Sequence, residues 1–177
     1  DSPTRFAIAE IQYFADRAVI ALPKFRRELA DYLLPNDTDS PIGMPGSTFG
    51  LSDEIALKMH TGLKQEGIFN PDWAVGFGLA GRDGIRSSPV VMVISVEKDS
   101  KNDWLRAGMA FQRIALIAER YNINIAVHAQ MVEVEAMNKL LKLRLKRKGR
   151  PTVIFRAGYA TEKRLHSPRL GIESVIT

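Results

Sequence analysis

Apolar residues recur along the chain with two different spacings. Between Thr4 and Ala21, Phe6, Ile8, Ile11, Tyr13, Phe14, Ala18 and Val19 cover more than one stripe of a helix. That pattern predicts a first helix buried on more than one side. Pro23 opens a second, to about Leu34, with Phe25, Leu29 and Leu33 on one face and Arg26, Arg27 and Glu28 largely off it. Pro35 ends it. Ser52 predicts an N-cap, with Asp53 and Glu54 in the first turn, for a helix reaching about Gln65 and stopped by Gly67. Trp104, Gly108, Phe111, Ala115 and Ala118 recur at helical spacing, behind capping residues from Ser100 to Asp103, and predict a helix to Tyr121. Leucines at 140, 141, 143 and 145 place a last helix over Val132 to about Lys148. Strand patterns are fewer. Pro89 to Glu97, PVVMVISVE, is a nearly continuous β-branched run and predicts a strand covered on both faces. Ile123 to Val127 predicts a short strand, and Thr152 to Phe155 a buried one broken by Gly158. The order predicts an α+β fold: a small central, mostly antiparallel sheet flanked by helices in a layered domain.

Two stretches escape this pattern. Residues 35 to 51, PNDTDSPIGMPGSTFGL, hold three prolines and three glycines. They read as a long loop, either a functional lid or partner-contacting arm or a plain surface excursion. Residues 70 to 88 contain GFGLAG, which matches the dinucleotide-binding glycine spacing formally. A phosphate loop of that kind needs a strand feeding the glycines into a helix start. Arg82-Asp83-Gly84 and Ser87-Ser88-Pro89 follow instead, so the stretch reads as a flexible loop.

Composition narrows the classes. A chain of 177 residues with 45% apolar content fits one globular domain. No run of eighteen apolar residues exists, so no membrane partner is expected. No secretory signal is visible, and a cytoplasmic location is the expectation. The chain starts at Asp1 without a methionine, which suggests a piece of something longer. The absence of cysteine excludes disulfides and thiol chemistry, and three scattered histidines argue against a metal site. The net charge of +5 favours anionic partners. Lys139, Lys142, Arg144, Lys146, Arg147 and Lys148 crowd the end of the last helix, as a solvated face or a nucleic-acid contact. The lack of stacking aromatics among them argues against nucleic acid.

The candidate chemistry lies in three places. Arg169 follows His166-Ser167-Pro168 behind the last strand, where a guanidinium can grip a phosphate or carboxylate through two parallel hydrogen bonds. His128 ends the short strand, as a structural histidine or a site residue. Gly108 either admits another backbone or a flat ligand, or packs against a neighbouring helix. No acid–base pair or nucleophile–histidine set stands out as catalytic.

From Ser87 onward, SSPVVMVISVE, then WLRAGMAFQRIALIAERYNINIAV, then RPTVIFRAGYATEKRLHSPRL together resemble the C-terminal half of the nitroreductase family, the FMN-dependent NAD(P)H oxidoreductases. The resemblance implies a three-layer nitroreductase-like domain over residues 1–177. It puts Arg169 where the family's FMN phosphate arginine stands, and Ser167 where many members have another phosphate contact. The backbone after the short strand would lie against the flavin ring, here Ala126, Val127, His128 and Ala129. NAD(P)H would be the cosubstrate, with a nitroaromatic, quinone or similar small molecule as electron acceptor. The flavin carries the chemistry in such enzymes, and the protein supplies binding and electrostatics. An FMN-binding or FMN-sequestering relative without turnover would share the fold. Members are usually two-fold dimers. Asp1 to Gly50 resembles the middle of a longer branch, with an FRREL helix and a GMPG loop, and that resemblance implies, as the alternative to a dimer, two such halves in one chain. The family's arginine-serine-rich N-terminal segment and its Asn-Gln-Pro-Trp-like segment are not in this sequence. The resemblance therefore implies a chain lacking the N-terminal flavin-binding part.

Overall fold

The strand patterns meet in one small sheet. A computed structural model describes residues 2–64, 71–161 and 166–176. These fall into two compact units, the larger formed by Asp1–Val19 and Asp72–Thr161 and the smaller by the rest. In the larger unit, β3 (Val90–Val96) and β4 (Asn124–Val127) flank β5 (Arg150–Gly158), and both pairings are antiparallel. The fold is α+β, as the element order predicts.

Central position explains the burial of β5. Ile154 and Phe155 point to opposite faces, as strand alternation requires, and neither is exposed. Phe155 meets Phe111 of α5 (Lys101–Arg120) edge-on, with ring centroids 5.2 Å apart. Ile154 faces the other way, into a cluster with Ile8, Ala9 and Ala15 of α1 (Ser2–Ile20), Ile85, Met131 and Leu141. Pro151 is tolerated inside this strand because the register against β3 shifts between Ile94 and Ser95. β3 departs from the expectation of a strand covered on both faces. It lies at the sheet edge, Val90 and Ser95 are exposed, and most of its other residues are half-buried.

The helix expected from about Trp104 begins three residues earlier, at Lys101, capped by Ser100 Oγ, which accepts from Asp103 N–H at 3.3 Å. Among the described residues no backbone or neighbouring helix packs on Gly108, since a Cβ there would have no atom within 4 Å. The last helix is split. α6 (Gln130–Glu133) and α7 (Glu135–Leu145) break at Val134, whose ψ of 107° is extended. Buried Asn138 holds the break, donating from Nδ2 to Val132 O at 3.0 Å and Pro151 O at 2.9 Å. Arg147 and Lys148 lie beyond the helix end.

The largest correction concerns residues 70–88. The glycine-rich stretch is a helix, α4 (Pro71–Ser87), with proline at its first position and Asp72 in its first turn. Three of its four glycines sit where α1 and β5 press closest. A side chain at Gly78 would meet Tyr13, one at Gly81 would overlap Asp16 Oδ2, and one at Gly84 would crowd the Arg156 guanidinium. The helix is paid for in tertiary packing rather than in propensity.

The smaller unit contains α2 (Pro23–Tyr32), a two-residue parallel pairing of β1 (Leu33–Leu34) with β2 (Met44–Pro45), a 3-10 turn over Gly46–Phe49, and α3 (Asp53–Lys64). Arg26 Nη1 donates to Ile20 O at 3.0 Å and Ala21 O at 2.7 Å, occupying carbonyls at the end of α1. The 35–51 stretch is pinned by Asn36. Its Nδ2 donates to Leu51 O at 3.1 Å and Asp53 Oδ1 at 2.7 Å, and its Oδ1 accepts from Ser47 N–H at 2.6 Å. The expected helix stop at Gly67 and the polar turn with Glu162, Lys163 and Arg164 lie outside the described residues.

The glycine contacts separate by position. Gly81→Ala loses about 1–3 kcal/mol to overpacking. Gly76→Ala, where a Cβ meets nothing within 4 Å, gains up to about 1 kcal/mol of helix propensity. Urea unfolding of the two variants gives opposite midpoint shifts. Equal shifts would contradict the packing described for α4.

Candidate functional site

The end of β4 is an open main-chain edge. Asn124–Val127 pairs with β5 on one side, and β4 has no strand on its other side among the described residues. The ladder continues past the strand through His128 N–H, which donates to Ile154 O at 2.9 Å. Ala129 O then accepts from Val132 and Glu133 N–H at 2.9 and 3.0 Å, turning the chain into α6. Ala126 and Ala129 keep this stretch slim, and Val127 turns outward, 52% exposed.

His128 turns inward and is buried. Its Nε2 makes no hydrogen bond among the described residues. Burial first, and the Arg156 guanidinium second, lower its pKa from the ordinary 6.5 to about 4, so the ring is neutral near pH 7. Arg156 stands on β5 opposite Ala126. Its Nη1 donates to Ser88 Oγ at 3.4 Å, and Ser88 Oγ donates to Gly84 O at 2.7 Å. Arg5 ties the same corner, donating to Ser88 O and Pro89 O, both at 2.8 Å.

A second buried polar group lies between α1 and α4. Gln12 Nε2 donates to Asp16 Oδ1 at 2.6 Å and to Gln130 Oε1 at 3.3 Å. Asp16 is 3% exposed, and burial pushes its pKa from the ordinary 3.8 up to about 7, although the Gln12 bond pulls the other way. Sequence reasoning missed Gln12, Asp16, Ser88, Gln130 and Arg156. Helical spacing held a signal for two of them. Ile8, Gln12, Ala15, Asp16 and Val19 share one stripe, and polar residues inside a buried stripe mark a polar core site.

Arg169 and Ser167 belong to the smaller unit, and Ala126–Ala129 to the larger. Arg169 is exposed, and its Nη1 donates to Ser167 O at 3.1 Å and Pro168 O at 3.0 Å. The guanidinium is thus steadied by its own chain. Among the described residues, no helix is long and apolar enough to cross a membrane. No protein-family model, curated protein or solved structure matches the chain.

The two buried titratable groups pull stability in opposite directions. Between pH 3.8 and about 7 the folded chain keeps a proton on Asp16 that the unfolded chain has lost, so this contribution falls as pH rises. Between about pH 4 and 6.5 the unfolded chain holds a proton on His128 that the folded chain lacks, so this contribution rises with pH. Each slope is bounded by about 1.4 kcal/mol per pH unit. Relative to the parent chain, Asp16→Asn gains stability as pH is raised from about 4 to 7, and His128→Gln loses it from about 4 to 6.5. Denaturant midpoints across that range test both. Differences that do not vary with pH would contradict the assignments.

Proposed function

We propose that the chain is part of an FMN-dependent oxidoreductase of the nitroreductase type, passing electrons from NAD(P)H through flavin to a nitroaromatic, quinone or similar small acceptor. The observation that carries the reading is the open edge of β4 running into Ala126–Ala129. A strand edge with no partner strand among the described residues, beside two alanines, suits a flat, hydrogen-bonding ring. The residues fit the cofactor in kind. Main chain from Ala126 to Ala129 is of the kind that lines a ring edge, and in the smaller unit, taken by itself, Arg169 and Ser167 are of the kind that holds a phosphate through charged and hydroxyl hydrogen bonds. His128, neutral beside Arg156, would keep the interior side of this edge polar without adding a proton donor of low pKa. Flavin, when bound, supplies the hydride and electron chemistry.

The same reading includes a nitroreductase-like three-layer domain, a missing N-terminal flavin-binding segment, and a cytoplasmic homodimer or a second nitroreductase-like half. What supports an apolar partner surface is α5, which leaves Trp104, Leu105, Met109 and Leu116 exposed.

Titration of the purified chain with FMN, followed by flavin fluorescence, is expected to show saturable binding, with NAD(P)H oxidation when an acceptor is added. Arg169→Ala is expected to weaken binding by about 1.5–3 kcal/mol. Bound flavin without NAD(P)H oxidation would mark an FMN-sequestering relative. Unchanged affinity in the variant would remove Arg169 from the site.

A further inference from the structure

A groove of about 510 Å³ runs between the N-terminal half of α1 and the C-terminal half of α7. Its walls are apolar, with Phe6 and Ile11 from α1 and Leu140 and Leu143 from α7. Leu143 is 73% exposed and Phe6 55%, so the groove is a trough rather than a tunnel. Covering these side chains is favourable in proportion to the apolar area removed from water.

The charge along the trough is one-sided. Glu10, the acid in its lining, is bonded to Arg86 at 2.5 Å, and that guanidinium stacks 3.9 Å over the Phe6 ring. On the other rim, Arg144 and Lys146 make no ion pair among the described residues. Exposed Lys142, Arg147 and Lys148 add to the same field.

We propose that this trough docks an amphipathic helix of a partner protein, apolar on one face and acidic along the flank that meets Arg144 and Lys146. A trough this open covers only one side of its occupant. An acyl chain lying there would keep much of its surface in water, whereas a helix turns polar side chains outward. The lining spans Pro3 to Ile11 on one side and Leu140 to Lys146 on the other, about two helical turns. That length suits apolar anchors at positions i, i+3 or i+4, and i+7 of the docked helix. Glutamates beside those anchors would meet unneutralised cations, which sets the sign of the partner. None of the lining residues belongs to Ala126–Ala129, so the proposal does not depend on flavin.

The test uses a fluorescent synthetic helix of about four turns with leucine anchors and glutamates elsewhere, beside a counterpart with lysines in place of the glutamates. Anisotropy titration of the whole chain is expected to show saturable binding of the acidic peptide, weakened by salt, with the lysine peptide at least about tenfold weaker. Leu143→Glu is expected to abolish binding with an unchanged circular dichroism spectrum and melting temperature, which the exposure of that side chain allows. The double variant Arg144→Glu, Lys146→Glu is expected to reverse the preference toward the lysine peptide. Equal binding of both peptides, or binding that survives Leu143→Glu, would overturn the proposal. So would saturable binding of dodecanoate in the absence of peptide binding, or self-association of the chain that Leu143→Glu abolishes and the peptide does not compete with.

Discussion

Helix α4 can lie against α1 and β5 only because three of its inward positions have no side chain. Gly78, Gly81 and Gly84 mark the successive places where Tyr13, Asp16 and Arg156 would be struck by a Cβ. The close approach has an electrostatic consequence. It removes water from around Asp16 and from the corner where Arg156 meets Ser88, and leaves their needs to a few amides and hydroxyls. A carboxyl in that setting favours its protonated form, and a histidine that is itself buried, with the half-buried Arg156 guanidinium nearby, favours its neutral form. The polarity of the interior, the position of Ile85 in the core and the anchoring of β5 therefore follow from one packing constraint.

Much of the fold was legible in the sequence where one signal dominated. The β-branched run of Val90–Val96 and the capped, amphipathic Lys101–Arg120 are encoded locally, and the structure forms both close to their expected bounds. What was illegible depended on partners distant in sequence. Glycines in Pro71–Ser87 lower intrinsic helicity, and only the neighbouring α1 and β5 convert them into contact positions. The break at Val134 is likewise set by Asn138 reaching Pro151, a bond no local pattern announces. The 35–51 stretch looked structureless because its organiser, Asn36, works through single hydrogen bonds to Ser47, Leu51 and Asp53.

The candidate site was legible in its backbone and less so in its side chains. Ala126–Ala129 stands at the end of an edge strand, with small residues and no strand on its outer side among the described residues. His128 was visible as a lone histidine, but its neutral state follows first from its burial in the fold and second from Arg156, which stands inside an apolar run. Arg169 proves to be steadied by carbonyls of its own segment. That preorganises a guanidinium for an anion without supplying one.

Amide chemical-shift mapping of the labelled chain during addition of FMN addresses the flavin reading most directly. Backbone amides from Asn124 to Ala129 are expected to shift saturably and together. Saturable shifts confined to other surfaces, or none at any FMN concentration, would contradict a flavin site at the end of β4.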